Sequence, residues 1–410
     1  MKGLFCFDGP MYKDVNGVYC NTTITSEMFK RYFHVVDELV VVIRTLHLDI
    51  TYEEAKMKKV ELENMTFVEI GNLNSPKGFL FERNKYKKII ETCVKESDLI
   101  FARMPSIISD MTLDIAKKYK KKYLVEVGGC AWDAYWNHSW IGKLVAPYMY
   151  FNEKRHIKNA DFSIYVTKRW LQSRYPSRGI QATASNVYLK NVKKNVLEKR
   201  IEKIKQKKEE TFVIGTTAAI NVKYKGQQYV IQAISNLNNK GYNFRYELVG
   251  GGEEKYLKKV ASNFNVENNI QFKGLMLQED VMDWLESIDM YIQPSKQEGL
   301  PRALVEALSM ACPAMGSTTA GIPELLQREN IFSNESVDEI EEILIKYHNS
   351  KDMLINNAKL NYEKSKEFQL EKLNDSRNKI YEQYKEVLLK EKSVVFEDQG
   401  GAKKYGENIK

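Results

Sequence analysis

The chain has 410 residues, of which 43% are hydrophobic and 28% charged, and its formal net charge is +8. That length favours two domains, and the mean hydropathy of −0.46 argues against an integral membrane protein. Nine prolines and 22 glycines exclude a collagen-like or low-complexity chain, and the five dispersed cysteines and five scattered histidines indicate neither a disulfide framework nor a metal cluster.

Short apolar runs alternate with helix-period segments through the first half of the chain. Buried strands are predicted at residues 4–7, 38–44, 67–70, 99–103, 123–127 and 162–166, with helices between them, for example at 86–97 and 110–120. This alternation is typical of parallel βαβ units in a doubly wound sheet.

A polar, lysine-rich stretch at 191–210 interrupts the alternation and is predicted to be a partly helical linker. Strands are then predicted at 212–215, 246–249, 270–273, 290–293 and 313–316, with helices at 226–236, 253–263, 278–285 and 301–311. This second Rossmann-like pattern is followed by helices at 337–349, 351–365 and 370–390.

The predicted organisation is α/β, with a Rossmann-like domain on each side of the linker. The first domain is expected to span 1–190 and the second 211–368. A helix at 369–392 is expected to return to the first domain, and a polar tail to occupy 393–410.

The excess of basic residues bears on the choice of partners. Lysines cluster at 85–88, 117–122 and 190–208, but acidic residues are interleaved through most of the chain and no nucleic-acid-binding motif accompanies them. We therefore interpret most of them as solvated helix faces and expect no nucleic-acid partner.

One apolar stripe has two interpretations. Near Lys143, Lys154 and Arg155, a single helical face carries Trp140, Leu144, Val145 and Tyr148. Such a stripe is either buried core or a contact with an anionic membrane surface. Because the sequence shows neither a signal peptide nor an apolar run of about 20 residues, the expected location is cytoplasmic, with peripheral attachment to the inner membrane face under the second interpretation.

The segment at 294–308 has the strongest chemical pattern. A predicted strand ends at Gln293, a loop holds Glu298, and Pro301 stands where the first helical turn should begin, a position that favours proline. The free amides and the dipole of such a turn suit a diphosphate. Glu306 lies on an otherwise apolar helix, where a carboxylate needs solvent, a cleft or a partner such as the hydroxyls of a ribose.

In this frame the sequence resembles the family 4 glycosyltransferases of the GT-B fold, particularly bacterial capsular and exopolysaccharide members. Glu298 and Glu306 match the family's two-glutamate motif, and Gly-Ile-Pro-Glu at 321–324 matches the segment that follows it. The resemblance covers 211–326 and is thinner over 1–190. It implies two Rossmann-like domains facing a cleft and sugar transfer with retention of configuration, without a metal or other cofactor.

The resemblance also implies roles for individual residues. Glu298 would touch the hydroxyls of the donor sugar and Glu306 the ribose of the nucleotide. The backbone of Leu304 and Val305 would hold the diphosphate, and Lys225 would neutralise the leaving phosphate.

Further donor contacts are expected at Gly226, Gly274, Met276, Gly299 and Leu300. The sequence departs from the family after the first strand of the second domain, where the usual arginine is absent and Gly215 is followed by Thr216. Lys223 is the expected substitute for that arginine.

The first domain is expected to supply the acceptor site. In the loop after its first strand, Gly9 and Gly17 are both candidates for a close approach to the donor phosphate, and Gly17 is preferred. Acceptor-side candidates near the ends of later strands are Arg103, Asp133 and His138, of which the last two would assist the acceptor hydroxyl.

The resemblance therefore implies a hexosyltransferase that uses a nucleotide-sugar donor, most simply a UDP-sugar, and a glycan or lipid-linked acceptor in cell-surface polysaccharide synthesis. Two alternatives stay open. A sugar-nucleotide 2-epimerase of the same fold would release the nucleotide without an acceptor. A non-catalytic partner subunit would bind the nucleotide sugar and turn over nothing.

Overall fold

A computed structural model describes residues 1–75, 78–137, 139–189, 195–208 and 211–404, with the backbone alone at 79–80 and 394–404. Over these ranges the chain forms two α/β domains, each built on a sheet of its own. The strands of the two sheets come from separate halves of the chain.

In the first domain, seven of the described strands form a parallel sheet in the order β5-β3-β1-β6-β7-β8-β9. At the carboxyl end of β1, β2 pairs antiparallel with β1, and β4 pairs antiparallel with β2. The strands are β1 (Lys2–Lys13), β2 (Tyr19–Asn21), β3 (Glu38–His47), β4 (Lys58–Lys59), β5 (Met65–Ile70), β6 (Leu99–Met104), β7 (Leu124–Val127), β8 (Phe162–Tyr165) and β9 (Ile180–Thr183). The helices are α1 (Ser26–Lys30), α2 (Arg83–Glu96), α3 (Ile107–Lys118), α4 (Ala131–Trp136), α5 (Trp140–Lys158) and α6 (Trp170–Arg174).

The first strand is much longer than predicted. After a change of register between Phe7 and Met11, β1 continues and pairs Tyr12 with Cys20 of β2. The predicted loop after residue 7 is therefore largely a hairpin. The strands β2 and β9 escaped prediction because each is short and mixes polar with apolar residues. The strand β4, which pairs with β2, escaped it because it consists of two lysines.

The second domain has a parallel sheet in the order β12-β11-β10-β13-β14-β15. Its strands are β10 (Phe212–Thr217), β11 (Phe244–Val249), β12 (Ile270–Gly274), β13 (Met290–Gln293), β14 (Ala314–Ser317) and β15 (Ile331–Phe332). The helices from the linker onward are α7 (Val196–Gln206), α8 (Gln227–Asn239), α9 (Lys255–Asn263), α10 (Gln278–Ser287), α11 (Arg302–Ser309), α12 (Val337–His348), α13 (Lys351–Ser365) and α14 (Leu370–Lys404).

Most of the described part of the linker is the helix α7. It buries Val196, Arg200 and Ile204, which recur every four residues and therefore lie on one face. The guanidinium of Arg200 donates to the carbonyls of Leu285 and Ile288, so α7 is anchored to the second domain.

The final helix, α14, returns to the first domain and extends past the predicted end at 392 to Lys404. Tyr381 and Tyr384 are fully buried in the core of the first domain, where the Tyr384 hydroxyl donates to the carbonyl of Lys122 at 2.8 Å. The chain thus crosses between the domains twice, and Leu189 N donates to Phe368 O at 2.8 Å where the crossings meet. Across the described residues, no helix is both long enough and apolar enough to cross a bilayer.

Candidate functional site

Glu298 lies in the loop between β13 and α11, at the carboxyl edge of the second sheet. Its Oε1 accepts hydrogen bonds from Lys225 Nζ at 2.7 Å and from Gln293 Nε2 at 3.3 Å. Gln293, the last residue of β13, also accepts a bond from the buried Tyr291 hydroxyl and donates one to Ser295 Oγ, both at 2.8 Å. These contacts hold the Glu298 carboxylate in a defined position.

Lys225 reaches Glu298 because its own turn packs against the same loop. The neighbouring Gly226 has a φ of +78°, and a Cβ there would lie 2.0 Å from the carbonyl oxygen of Pro294. Only glycine accommodates both that backbone angle and that approach. Lys296 N also donates to Tyr224 O at 2.7 Å, so the two segments are joined through their backbones. The structure therefore brings the two predicted catalytic side chains together.

Glu306 lies in the second turn of α11 and is 7% exposed. Its Oε1 accepts a hydrogen bond at 3.2 Å from Nε2 of Gln278, the first residue of α10. Burial raises the pKa of Glu306 above its ordinary value, although Arg302 and Gln278 act in the opposite direction. An ionised carboxylate there would accept hydrogen bonds from two neighbouring hydroxyl groups.

The start of α11 corrects one expected contact. Pro301 is the N-cap and the helix begins at Arg302, one residue later than predicted. Amides of the first turn, ending with that of Leu304, have no partner within a helix. The Val305 amide donates to Pro301 O at 3.3 Å, so it is occupied within the helix and unavailable for the expected diphosphate contact.

Gly299 lies where the two sheet edges meet. A Cβ at Gly299 would lie 2.4 Å from the carbonyl oxygen of Gly128, in the loop after β7. Gly321 N donates to Gly299 O at 2.9 Å, and Leu300 packs against cores of both domains. The loop that carries Glu298 is therefore in direct contact with the first domain.

A second contact between the domains involves Glu324, the glutamate of the Gly-Ile-Pro-Glu segment. Its carboxylate accepts hydrogen bonds from the backbone N–H groups of Lys168, Arg169 and Trp170 at 2.5, 3.1 and 2.8 Å. These residues lie at the start of α6, where the amides have no helical partner. Sequence reasoning missed this role, because nothing local indicates which helix Glu324 would cap.

The loop expected to meet the nucleotide base borders Glu306. Gly274 ends β12 with a φ of +71°, and Met276 packs against a core of the second domain. Leu275 and Leu277, on either side of Met276, are 81% and 72% exposed. Because α10 begins at Gln278, this loop is placed beside the Glu306 carboxylate.

Gly17 and Lys223, two further residues expected to contact the donor phosphate, have other neighbours in the structure. Gly17 adopts a φ of +79° at the tip of the β1–β2 hairpin, and the nearest atom to a Cβ there would be Lys13 Cε at 3.8 Å. Gly9, by contrast, lines a cavity between the domains. The ammonium of Lys223 lies 4.8 Å from the ring centre of Tyr256, whereas Lys225 contacts Glu298.

The two acceptor-side candidates that the structure describes, Arg103 and Asp133, have different partners. Arg103 is buried beside Glu126, with Nη2 2.8 Å from Glu126 Oε2. Asp133, on α4, has Oδ1 3.8 Å from Arg174 Nη2, and burial raises its pKa. His138 lies outside the described residues.

Comparison with known proteins places this geometry in a family. The profile of the family "Glycosyl transferases group 1" matches residues 198–364, which include Lys225, Glu298 and Glu306. Protein CapJ of Staphylococcus aureus is 32% identical over 394 residues, which span 95% of this chain and 97% of CapJ. The chain belongs to the glycosyl transferases group 1 family.

The chain is also similar to a further glycosyltransferase in sequence and to a solved structure in fold. The amylovoran biosynthesis glycosyltransferase AmsK of Erwinia amylovora is 32% identical to this glycosyltransferase over 110 residues. The aligned residues cover 25% of this chain and 27% of AmsK. The fold of this chain is similar to that of Anabaena HepE in complex with UDP, with a TM-score of 0.62, 16% identity and coverage of 92% of this chain and 98% of HepE. The predicted GT-B fold is confirmed, and the group 1 match indicates an enzyme that transfers sugars.

Proposed function

We propose that the protein is a retaining family 4 glycosyltransferase that moves a hexose from a UDP-sugar to a glycan or lipid-linked acceptor in cell-surface polysaccharide synthesis, without a metal or other cofactor. The observation that carries this proposal is the contact between Lys225 and Glu298 next to the first turn of α11, the helix that also bears Glu306. HepE in complex with UDP and AmsK in amylovoran biosynthesis support the choice of donor and process.

In this proposal the protein catalyses transfer by stabilising the charges that develop during the reaction. As the bond between the anomeric carbon and the donor phosphate lengthens, negative charge grows on the diphosphate. The Lys225 ammonium and the free amides at the start of α11 stabilise that charge where it develops. Glu298 positions the sugar through its hydroxyls, Glu306 binds the ribose, and a phosphate oxygen takes the proton of the acceptor hydroxyl.

The contact between Lys225 and Glu298 also gives the site a resting state. With side chains 20% and 13% exposed, each charge neutralises the other before the donor binds. An incoming diphosphate would replace the carboxylate as the partner of Lys225. The sugar hydroxyls would then take up the hydrogen-bonding capacity of Glu298.

The proposal is tested with Glu298→Gln and Glu306→Gln in a radiolabelled sugar-transfer assay and in calorimetry with UDP. Glu298→Gln should lower turnover by about a hundredfold or more while UDP affinity mostly survives, because the lost contact is to the sugar. Glu306→Gln should weaken UDP binding about tenfold, because a charged hydrogen-bond acceptor is lost. The wild-type affinity should also fall as the pH drops through the raised pKa of Glu306.

A matched control is Glu342→Gln, an exposed glutamate on α12. Unchanged turnover in Glu298→Gln, or unchanged UDP affinity in Glu306→Gln, would contradict the assigned roles. Release of free UDP without an acceptor would instead indicate an epimerase, and UDP binding without any turnover a binding subunit.

A membrane surface is the second partner in this proposal. The helix α5 leaves large apolar side chains open to solvent, with exposures of 73% for Trp140, 55% for Ile141, 72% for Leu144, 61% for Tyr148 and 66% for Phe151. These positions recur with helical spacing and form one face of the helix, which we call the α5 face. An apolar surface of this kind marks an interaction site.

The charge of α5 indicates the chemistry of the partner. The helix carries Lys143, Lys154, Arg155 and Lys158, and its one acidic residue, Glu153, is buried at 1% exposure. A basic helix with exposed tryptophan and leucine suits the interface of an anionic bilayer. The loop before α4 and α5 contacts Gly299, so attachment through this face, on the cytoplasmic side of the membrane, would place the cleft close to lipid-linked acceptors.

A further inference from the structure

A cavity of about 730 Å³ lies between the domains. Its wall combines β1 and α1 of the first domain with α14, the crossing at 186–188 and the Arg302 side chain of the second domain. Glu298, Lys225 and Glu306 are not among the described residues that line it. The cavity is therefore a space next to the proposed donor site, with walls of its own.

Three of the residues that line the cavity are buried arginines, and all three are close enough to act on a single carboxylate. The side chains of Arg31 and Arg103 are each 9% exposed, Arg377 is 3% exposed, and the Glu126 side chain behind them is 2% exposed. Burial alone would raise the pKa of Glu126, but the arginines outweigh it and hold that pKa well below its usual range. Glu126 is therefore ionised, and the group retains an excess of positive charge.

Glu126 has little capacity left for a further partner. Its Oε2 accepts two bonds from Arg103, at 2.8 and 3.2 Å, and its Oε1 accepts bonds from the hydroxyls of Tyr32 and Tyr381 at 2.8 and 2.7 Å. Arg31 Nη2 is 3.9 Å from Oε2, beyond hydrogen-bonding distance. The carboxylate thus satisfies Arg103 but not Arg31.

The Arg31 guanidinium is left incompletely bonded. Its Nη1 donates to Asn186 Oδ1 at 3.1 Å, but Nε and Nη2 are buried and have no hydrogen-bond partner among the described residues. Arg377 donates to the Ser185 carbonyl and to Asn374 Oδ1, both uncharged. Burial, reinforced by Arg31, lowers the pKa of Arg377 to about 10, so it too is charged at neutral pH.

The remaining charges on the wall do not cancel this excess. Lys30 and Arg302 add positive charge, whereas the acidic lining residue Glu27 lies 3.4 Å from Lys30. Buried charges without a compensating partner are costly, and orphaned donors on a buried guanidinium add to that cost. An anion in the cavity would offset the uncompensated positive charge.

We infer that this cavity is an oxyanion-binding subsite for the acceptor, in which Arg31, with Arg103 and Arg377 behind it, binds a phosphate or carboxylate group carried by the acceptor. The fork of a guanidinium matches two oxygens of either group. The assignment of the bound group to an acceptor rests on the proposed function, but the existence of an anion site does not. The inference names the acceptor class as anionic: a glycan on a phosphate-containing carrier or a glycan with an acidic sugar.

The test is calorimetric, with three probes on the full chain: inorganic pyrophosphate, glucuronate and, as a neutral control, glucose. We expect the wild type to bind at least one of the two anions and not glucose. Arg31→Met should weaken that binding roughly ten- to hundredfold while leaving UDP affinity unchanged. Pyrophosphate binding would indicate a phosphate-bearing acceptor and glucuronate binding an acidic sugar.

Further variants locate the bound anion. Arg178→Met removes the same charge from an exposed side chain in the loop between α6 and β9 and should change no affinity. Lys225→Met should weaken the binding of UDP but leave the binding of the anion unchanged. Arg31→Lys, which keeps the charge and loses the fork, serves if Arg31→Met does not fold and should bind the anion with reduced affinity.

The subsite is refuted if neither anion binds the wild type, if Arg31→Met and Arg31→Lys bind as well as the wild type, or if pyrophosphate is lost in Lys225→Met but retained in Arg31→Met. The last result would place the anion at the donor diphosphate. A protein that binds the anion through Arg31 but never binds UDP would contradict the proposed function and leave the anion site standing.

Discussion

At the scale of single residues, burial sets the protonation of Glu153 on α5. Its Oε2 accepts a hydrogen bond from Ala131 N at 2.9 Å, whereas Oε1 is buried without a partner in the described part of the chain. Burial raises the pKa of Glu153 to about 8 from an ordinary value of 4.5. Between those pH values the folded protein retains a proton that the unfolded chain loses, so stability falls as the pH rises through this window.

We therefore predict that Glu153→Gln stabilises the protein at pH 8 and has little effect at pH 4. Glutamine keeps the oxygen that accepts from Ala131 N and cannot ionise, so the gain should reach a few kcal/mol at the upper end of the window. Urea denaturation at both pH values measures it, with Glu342→Gln as the exposed control. A gain that is equal at pH 4 and pH 8 would contradict the assignment.

At the scale of elements, α5 shows how tertiary context decides between two interpretations of one pattern. Trp140, Leu144 and Tyr148 share a helical face, which the sequence assigns either to a core or to a membrane contact. In the structure these side chains are 61–73% exposed, while Ala146, Met149 and Ile157 of the same helix are buried. The stripe is therefore surface rather than core.

We predict that the double variant Trp140→Ser, Leu144→Ser loses binding to phosphatidylglycerol vesicles by tenfold or more, because each large apolar side chain contributes about 1.5–3 kcal/mol on burial. Co-sedimentation measures the loss, and phosphatidylcholine vesicles should bind the wild type weakly. Leu389→Ser, at a leucine of α14 that is 48% exposed, is the matched control. Equal sedimentation of wild type and double variant, or a dimer that the double variant dissociates, would refute the membrane assignment.

At the scale of the whole molecule, two neighbouring loops of the second domain hold the domains together. Gly299 and Gly128 touch through their backbones, and Glu324 caps α6 across the domain boundary. The paired crossings at Leu189 and Phe368 form the covalent connection. Of these contacts, only the cap depends on a single side chain.

We predict that Glu324→Ala loosens this closed arrangement. Three backbone N–H groups lose a charged acceptor, at a cost of about 1–3 kcal/mol, so the ligand-free protein should show a larger radius of gyration in small-angle X-ray scattering. Glu363→Ala, which removes an exposed glutamate of α13, should leave the radius unchanged. An unchanged radius in Glu324→Ala would show that the cap does not hold the domains.

The proposed donor site was largely predictable because its signals are local. Pro301 marked the start of α11 to within one residue, and the family resemblance pointed to Lys225, which the close packing of Gly226 carries to Glu298. The supporting residues were less visible. The sequence does not single out Gln293 or Gln278. The one signal that could have found them is a polar residue at the end of a strand or at the start of a helix.

By itself the sequence determined the two-domain α/β architecture, because the periodicity of apolar residues that distinguishes strands from helices is a property of consecutive residues. Only the tertiary structure decided which charges share an interior. Arg31, Glu126 and Arg377 are far apart in the chain. The first two meet within the first domain, and Arg377 joins them because α14 folds back onto that domain. Local sequence patterns do not predict such contacts, because the energy of a buried charge depends on neighbours that only the folded structure brings close.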